Sequence, residues 1–440
     1  MPTEPAAPQT DAAPEDLAPG DRVELVVGPV AHGGHCVARH EGRVVFVRHT
    51  LPGERVVAEV TGSGHGGRFL RADAVRVLQP SADRVLPPCP WSGPGRCGGC
   101  DFQHVDLAAQ RRLKAAVVAE QFQRLAGVDL AEALGGEVVC EPVPGDHDGL
   151  GWRTRVEFAV DGSGRAGLRR HRSHEVVPVD DCLIAVREVT ATGVLATAHP
   201  GAEAVDVVAP SRGPAVQVPV PTSGRVPDVV EAVTLPGGEV ELGVGARGFW
   251  QVHPGAAQTF ADTVLGWLDA RPGERALDLY AGVGLFAAGL AQAVGGRGRV
   301  LAVEGDRGGA EHARDNLRPW RHARVRRDRV DRAVRGLVNA RERYDVVVLD
   351  PPRSGAGKAV VRDVARLRAR AVAYVACDPA ALARDTAYLA AVGWQLTRLR
   401  VLDAFPMTHH MECVALFEPV RKTGERPRGA GGRRGRVELS

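Results

Sequence analysis

Nowhere in the 440-residue chain is there a stretch of about 18 uncharged apolar residues, which excludes an apolar membrane-spanning helix. No basic segment leads into an apolar one near the start, so no secretory leader is expected and the chain is expected to work in the cytoplasm, without a membrane partner. The first 20 residues hold Glu4, Asp11, Glu15 and Asp16 but no base. Rich in Ala and Pro, residues 1–17 read as an inert disordered tail. The net charge is only +3, and much of the basic excess collects at the other end, in Arg421, Lys422, Arg426, Arg428, Arg433, Arg434 and Arg436. Residues 421–440 read as a second disordered tail, one that solubilises the chain as readily as it touches phosphate. A reducing compartment denies the eight cysteines a disulfide framework and points them toward metal or catalysis. Cys36, Cys140 and Cys413 stand alone and suggest neither.

What is present is a soluble globular composition, 44% apolar and 25% charged, in a chain too long for one core. A multidomain protein is expected. Across residues 18–78 the runs "DRVELVVGPV", "HCVARHEGRVVFVRHT" and "ERVVAEVTG" alternate apolar and polar residues between glycine turns, the pattern of a small all-β barrel. It reads either as a generic β module or as an oligonucleotide-binding barrel that exposes Arg39, His40, Arg43 and Arg48. Residues 79–245 form a central region. It contains a helical stretch at 105–126, able to pack on the catalytic domain, and then a mostly β segment rich in guanidiniums, "WRTRVEFAVDGSGRAGLRRHRSHEVVPVDDC". From 246 to 420 strands alternate with helices: "RALDLY", "RVLAVE", "YDVVVLD" and "AVAYVAC" are each followed by helical spacing. That texture predicts a Rossmann-like α/β domain with ligands at the carboxyl ends of its parallel strands.

The α/β motifs end where chemistry would sit. In "ALDLYAGVGLFAAGLA" a strand runs into Gly282 and Gly284 and then a helix, letting backbone amides approach a ligand. The third glycine of the dinucleotide fingerprint is missing, and Glu304 ends the next strand, placed for ribose hydroxyls; S-adenosylmethionine fits better than NAD. "DVVVLDPPRSGAG" ends a strand in Asp350 and then turns at two prolines, either presenting the carboxylate to a cleft or capping a helix. "YVACDPAALARD" sets Cys377 between a strand and a proline-started helix. Gln251 in "GFWQVHPGAAQTF" and Glu412 in "THHMECVALF" bracket the domain; taken singly, they read as a helix-start polar residue and a solvated strand end.

"CPWSGPGRCGGC" holds Cys89, Cys97 and Cys100 in a loop too rich in Gly and Pro to be core. Three thiolates so placed predict a metal. The fourth ligand is open between Cys182, which would suit an iron–sulfur cluster or zinc, and His104, which would favour zinc. The spacing is not that of the radical enzymes, so the metal is expected to be structural or to position RNA.

Together these motifs closely resemble the RNA uracil-C5 methyltransferases, in the subgroup with an N-terminal OB-like TRAM barrel and an iron–sulfur cluster, from about residue 18 to 418. The resemblance implies S-adenosylmethionine as donor and a [4Fe-4S] cluster on Cys89, Cys97, Cys100 and Cys182. It implies Cys377 as nucleophile toward C6 of uracil and Glu412 as general base. Cofactor contacts would come from Gln251, Tyr280, Glu304, Asp328 and Asp350. The implied substrate is a structured uridine, in 23S rRNA rather than tRNA, and the implied state is a monomer. The sequence departs from the family's Ser-Cys-Asn-Pro nucleophile motif, with Ala376 and Asp378 beside the cysteine, and its cysteine loop is longer, with seven and then two intervening residues. Asp378 would raise the thiol pKa unless it caps the helix or pairs with a base. Two rivals remain in view: an amino-methyltransferase using the Asp-Pro-Pro turn, and a cluster-bearing RNA-binding protein without catalysis.

Overall fold

The computed structural model describes residues 17–64 and 66–420; of the expected tails, 1–17 and 421–440, all but Leu17 lies outside the described residues, and Leu17 packs against the barrel core instead. Strands β1 (Arg22–Ala31), β2 (His35–His40), β3 (Arg43–Arg48), β4 (Arg55–Gly64) and β5 (Phe69–Gln79) close a barrel in the order β1-β2-β3-β5-β4. Period-two patterning drives it: Val23, Leu25 and Val27 point inward while Arg22, Glu24 and Val26 are exposed. The barrel core does not close on itself alone. Phe102, Val105, Ala109 and Val117 complete it from the segment that follows.

That segment carries α1 (Leu107–Ala126), capped by Asp106, which accepts from the N–H groups of Ala108 and Ala109, and stopped by left-handed Gly127. One face of α1 enters the barrel core. Another, with Ala115, Val118 and Phe122, enters a second core belonging to the α/β unit. Val118 and Phe122 are fully buried, each contributing about 1.5–3 kcal/mol. Between those faces the buried Lys114 ammonium donates to Asp403 Oδ1 at 2.5 Å and to the Phe405 carbonyl at 3.0 Å. After α2 (Leu130–Leu134) comes the short β6 (Cys140–Pro142).

The central β region follows: β7 (Arg155–Val160), β8 (Ala166–Arg169), β9 (Val176–Pro178), α3 (Arg187–Thr190), β10 (Ala204–Val208) and β11 (Val216–Val220), in a sheet ordered β11-β10-β7-β8-β9. Next is a ribbon of β12 (Asp228–Leu235) and β13 (Gly238–Gly245), whose Val229, Val233, Leu242 and Val244 join the α/β core.

The α/β unit runs α4 (Ala256–Leu268), β14 (Arg275–Leu279), α5 (Leu285–Val294), β15 (Arg299–Glu304), α6 (Arg307–Asn316), β16 (Ala323–Arg327), α7 (Val330–Asn339), β17 (Val346–Leu349), α8 (Gly357–Arg366), β18 (Ala371–Ala376), α9 (Pro379–Ala390), β19 (Trp394–Asp403) and β20 (Glu412–Pro419). Its sheet is ordered β16-β15-β14-β17-β18-β20-β19-β6. β14 to β18 pair in parallel, β20 is antiparallel to both its neighbours, and β6 pairs in parallel with β19. β17 and β18 are buried at every position, as strands covered by helices on both faces must be. Strand order reverses between β14 and β17, and a crevice opens at their carboxyl ends.

Candidate active site

β18 ends at Ala376 because Pro379 opens α9 with Asp378 as its cap. Cys377 is left at the turn, half-buried. Ala376 pairs with Cys413 on β20, and that register carries Cys377 opposite Glu412, the first residue of the strand, 5% exposed. One strand over, Leu349 pairs with Tyr374, so Asp350 emerges beside them. Burial pushes the Cys377 thiol up to about 12; the Glu412 charge adds to this, the Arg353 guanidinium opposes it, and Asp350 adds again. Glu412 is held well above the usual carboxylate range by burial and by Asp350, with Arg353 opposing. Asp350 is pushed up to about 7 by burial and by Glu304. These three groups cannot all carry negative charge together, and Arg353 is the cation facing Cys377 and Glu412, in a floor that favours a cationic ligand.

The glycine loop lies next to this floor. Tyr280, Gly282 and Gly284 adopt left-handed backbone, with φ of 63°, 54° and 96°. The Gly282 N–H donates to Glu304 Oε2 at 2.8 Å, and Asp306 N–H donates to Oε1 at 2.7 Å, so Glu304 fixes the loop while keeping unused lone pairs. Asp278, fully buried, accepts from Ala287 N–H at 2.8 Å through Oδ2, while its Oδ1 has no partner. Burial holds Asp278 well above its usual range. Space stands open for 4 Å around the position a Cβ on Gly282 would take. An orphaned buried oxygen and an open glycine cradle fit a polar ligand laid across the strand ends. Gln251 is buried in the turn ahead of α4, beside Trp250, which packs in the same core as Ala281 and Val283. Asp328 follows β16, but its oxygens are met by Arg326 at 2.6 Å, Arg332 at 2.6 Å and the Arg329 N–H at 2.9 Å. Its own N–H donates to the Glu304 carbonyl at 3.0 Å, which sets it beside the acid of the glycine loop.

Asp378 resolves the question its position raises. Oδ1 accepts from Ala381 N–H at 2.8 Å, capping α9, and Oδ2 lies 3.2 Å from Nε2 of His32 on the barrel's β1–β2 loop. Burial pushes its carboxyl up, but the His32 contact and the Ala381 N–H outweigh that and hold it below its usual range. Both conditions that spare the thiol are met.

The cysteine loop is pinned at both ends of its turn. Gly98 N–H donates to the Arg169 carbonyl at 2.9 Å, with no room for a Cβ on Gly98 against His171, and the N–H groups of Asp101 and Phe102 both donate to the Met407 carbonyl. Cys100 packs against the core cluster that contains Cys182. Burial raises all four thiols, and the charges of Cys182, Cys97 and Cys89 raise Cys100 further. All four are free, and among the described residues no three such groups are drawn together tightly enough to hold a metal ion. His104 is occupied elsewhere: Nε2 lies 3.3 Å from the Thr50 carbonyl, with its ring edge-to-face with His49. The structure therefore ties the alternative zinc ligand to the barrel and leaves Cys182 beside the loop.

Between the barrel face, the cysteine loop and the β8–β9 turn lies a groove of about 740 Å³, lined among others by His35, Phe46, Phe69, Arg71, Arg170 and Arg172. Phe46 meets Phe69 edge-on at 5.1 Å, and Arg71 stands over Phe69 at 5.0 Å. Guanidiniums beside half-buried rings are the equipment of a single-strand nucleic-acid groove.

Comparison with known proteins places the chain. The TRAM domain matches residues 17–75, and the tRNA (Uracil-5-)-methyltransferase domain matches residues 257–420. A protein of Streptomyces coelicolor named as an uncharacterized RNA methyltransferase is 48% identical over 435 residues, 92% of this chain and 94% of its own. The 23S rRNA (uracil(1939)-C(5))-methyltransferase of Pseudomonas putida is 32% identical over 447 residues, 91% of this chain and 94% of its own. The chain belongs to the RNA uracil-C5 methyltransferase family. The fold agrees: the tRNA (uracil-54, C5)-methyltransferase of Pyrococcus abyssi, solved with S-adenosyl-L-homocysteine, superposes with a TM-score of 0.63 at 20% identity, over 90% of this chain and 100% of that one.

As a member of this family the protein is an S-adenosylmethionine-dependent RNA methyltransferase. Several residues around the cleft escape a reading of the sequence. Arg353 carries no signal beyond following Asp-Pro-Pro. Tyr374 and Asp385 read as strand core and helix polar face, yet Asp385 Oδ2 accepts from the Tyr374 hydroxyl at 2.6 Å and from Ala356 N–H at 2.7 Å, fastening the loop behind Asp350. His32 and His409 become visible only once the barrel is docked.

Proposed function

We propose that this methyltransferase modifies C5 of a specific uridine in 23S rRNA through a covalent adduct between Cys377 and C6 of the base. The observation that carries the reading is the register of β18 against β20, which sets a thiol and a buried carboxylate opposite each other at the cleft. S-adenosylmethionine, when bound, would supply the electrophilic methyl group, its S–CH3 bond breaking to leave S-adenosylhomocysteine. Cys377 forms a bond from its thiolate sulfur to C6, which moves the ring's electron pair to C5 and makes that carbon nucleophilic. Once C5 carries the methyl group, Glu412 takes the C5 proton; the electrons of that C–H bond restore the C5–C6 double bond, and the sulfur leaves with its pair. The raised pKa of Glu412 makes its carboxylate a stronger base than an exposed glutamate. Gln251, Tyr280, Gly282, Gly284, Glu304 and Asp350 line the donor's side of the cleft in this reading, with Asp328 beside Glu304 and its oxygens held by arginines.

The cluster belongs to the proposal as well. Four soft thiol donors from one loop and the adjoining segment are of the kind that holds a [4Fe-4S] core, with zinc as the alternative. Cys89, Cys97, Cys100 and Cys182 would hold it, stapling the loop to the central sheet without entering the chemistry.

The RNA is read by phosphate contacts along the groove while the pocket takes the flipped base. The 23S assignment is supported by full-length relatives of that name in two pseudomonads, at 32% and 33% identity, whereas the likeness to the tRNA enzyme is one of fold. The test offers protein-free 23S rRNA and unmodified tRNA at equal concentration with labelled donor, alongside a map of 5-methyluridine in a strain lacking the gene. Label and lost modification are expected in 23S rRNA. Both falling on tRNA would reject the assignment and leave the chemistry standing.

A further inference from the structure

The nucleophile's environment includes a residue from the barrel. His32 lies far from Cys377 in sequence and belongs to no motif, yet its Nε2 stands 3.2 Å from Asp378 Oδ2, one residue beyond the thiol. The loop that carries it is seated firmly: a Cβ on Gly34 would fall 2.7 Å from the Cβ of His409, so only glycine lets the two backbones approach. His409 in turn contacts Asp101 through Nδ1 at 2.5 Å, and Arg48 of the barrel reaches the other oxygen of Asp101 at 3.3 Å. The barrel thus reaches the rim of the cleft through two contacts, one of them on the residue next to the nucleophile.

We propose that His32 is a positioning residue for Cys377: by holding Oδ2 of Asp378 it commits that carboxylate to α9 and the barrel and keeps its charge away from the neighbouring sulfur. Asp378 stands where the resembling motif has an uncharged asparagine, which would cap α9 equally well. An aspartate there brings a charge that needs a partner, and the barrel supplies one. The other charges facing Cys377 are Glu412 from β20 and Asp350 and Arg353 from the loop after β17. His409 and His410 stand on the segment before β20, and His35 in the barrel beside His32. None of these three contacts Asp378 among the described hydrogen bonds and ion pairs, which leaves His32 as the one side chain paired with it there. Seating of the barrel therefore becomes a condition for a reactive Cys377, beyond any part the barrel takes in holding RNA.

The inference rests on Cys377 as the nucleophile, and its test reads the thiol directly, apart from methyl transfer. The full chain, prepared anaerobically, is treated with iodoacetamide between pH 7 and 9, and alkylation of Cys377 is followed by peptide mass spectrometry. His32→Ala is expected to slow that alkylation about tenfold, the effect of one unit in thiol pKa. Asp378→Asn alone should be no slower than wild type, and His32→Ala combined with Asp378→Asn should return to the wild-type rate. An unchanged rate in His32→Ala would overturn the proposal, and so would a double variant as slow as His32→Ala, because a loop that had merely lost its packing gains nothing from the asparagine. Loss of methyl transfer in Cys377→Ala tests the nucleophile itself, so the two failures are told apart.

Discussion

The hydroxyl of Tyr374, on β18 three residues before Cys377, donates to Asp385 of α9 at 2.6 Å, and both hold the backbone N–H of Ala356. Gly357 N–H joins them, so one buried carboxylate collects the loop that follows Asp350. A hydrogen bond to a charged acceptor is worth about 1.5–3 kcal/mol. Tyr374→Phe is expected to lower stability by that order in urea denaturation and to reduce the methyl-transfer rate, because Arg353 rides on the loosened loop. Unchanged turnover in a destabilised Tyr374→Phe would separate the loop from the chemistry.

Cys377→Ala should abolish methyl transfer and leave donor binding intact, since the sulfur acts on the base. Glu412→Gln should instead accumulate a protein–RNA adduct on natural RNA, visible as a band surviving denaturing electrophoresis. Wild type should give the same band with 5-fluorouridine RNA, where no C5 proton exists to be taken. A Glu412→Gln enzyme that turns over without adduct would assign the base elsewhere.

Asp350 predicts a pH dependence of stability. Its folded pKa rises from 3.8 to about 7, so the folded state holds the proton more tightly than the unfolded one. The stability this contributes is full below the ordinary carboxylate range and is lost as pH rises through about 7. In ligand-free protein, Asp350→Asn should therefore gain on wild type by a few kcal/mol between pH 4 and 8. Calorimetry at the two ends of that window checks it; a constant difference in melting temperature would place the Asp350 charge in a solvated setting.

Lys114 and Asp403 are both fully buried, and removing one partner strands the other. Lys114→Met is expected to cost about 3–5 kcal/mol. Combined with Asp403→Leu it should recover much of that loss, measured by urea denaturation. Equal stability of the single variant and wild type would mean that Arg111, 3.3 Å from Asp403, suffices alone.

Protein purified without oxygen should be brown and contain about four irons and as much sulfide per chain. Zinc in their place, with no sulfide, would overturn the cluster.

Much of this architecture is legible in the sequence, for a local reason. β14, β15, β17 and β18 are apolar runs that end abruptly at Tyr280, Glu304, Asp350 and Cys377, and period and punctuation are properties of neighbours in the chain. β16 is not legible, because "ARVRR" at a sheet edge has neither period. Neither is β6, three residues whose strand character exists only against β19. The same limit hides His32, Arg353 and Asp385, whose roles come from approaches across the fold. Asp378 is the instructive middle case: the sequence poses its charge as a problem, and only the docked barrel supplies the answer.

β6 has a further consequence. It is synthesised long before β19, the strand it pairs with, and the whole central sheet is made in between. The α/β sheet is thus interrupted in the gene and continuous only in space, so no contiguous segment cut from the chain contains all of it without the central region as well. A nascent chain carries the cysteine loop, the groove and even the glycine cradle while it still lacks Glu412 and the wall that β19 and β20 build. The cleft is therefore completed only by the final strands to be translated.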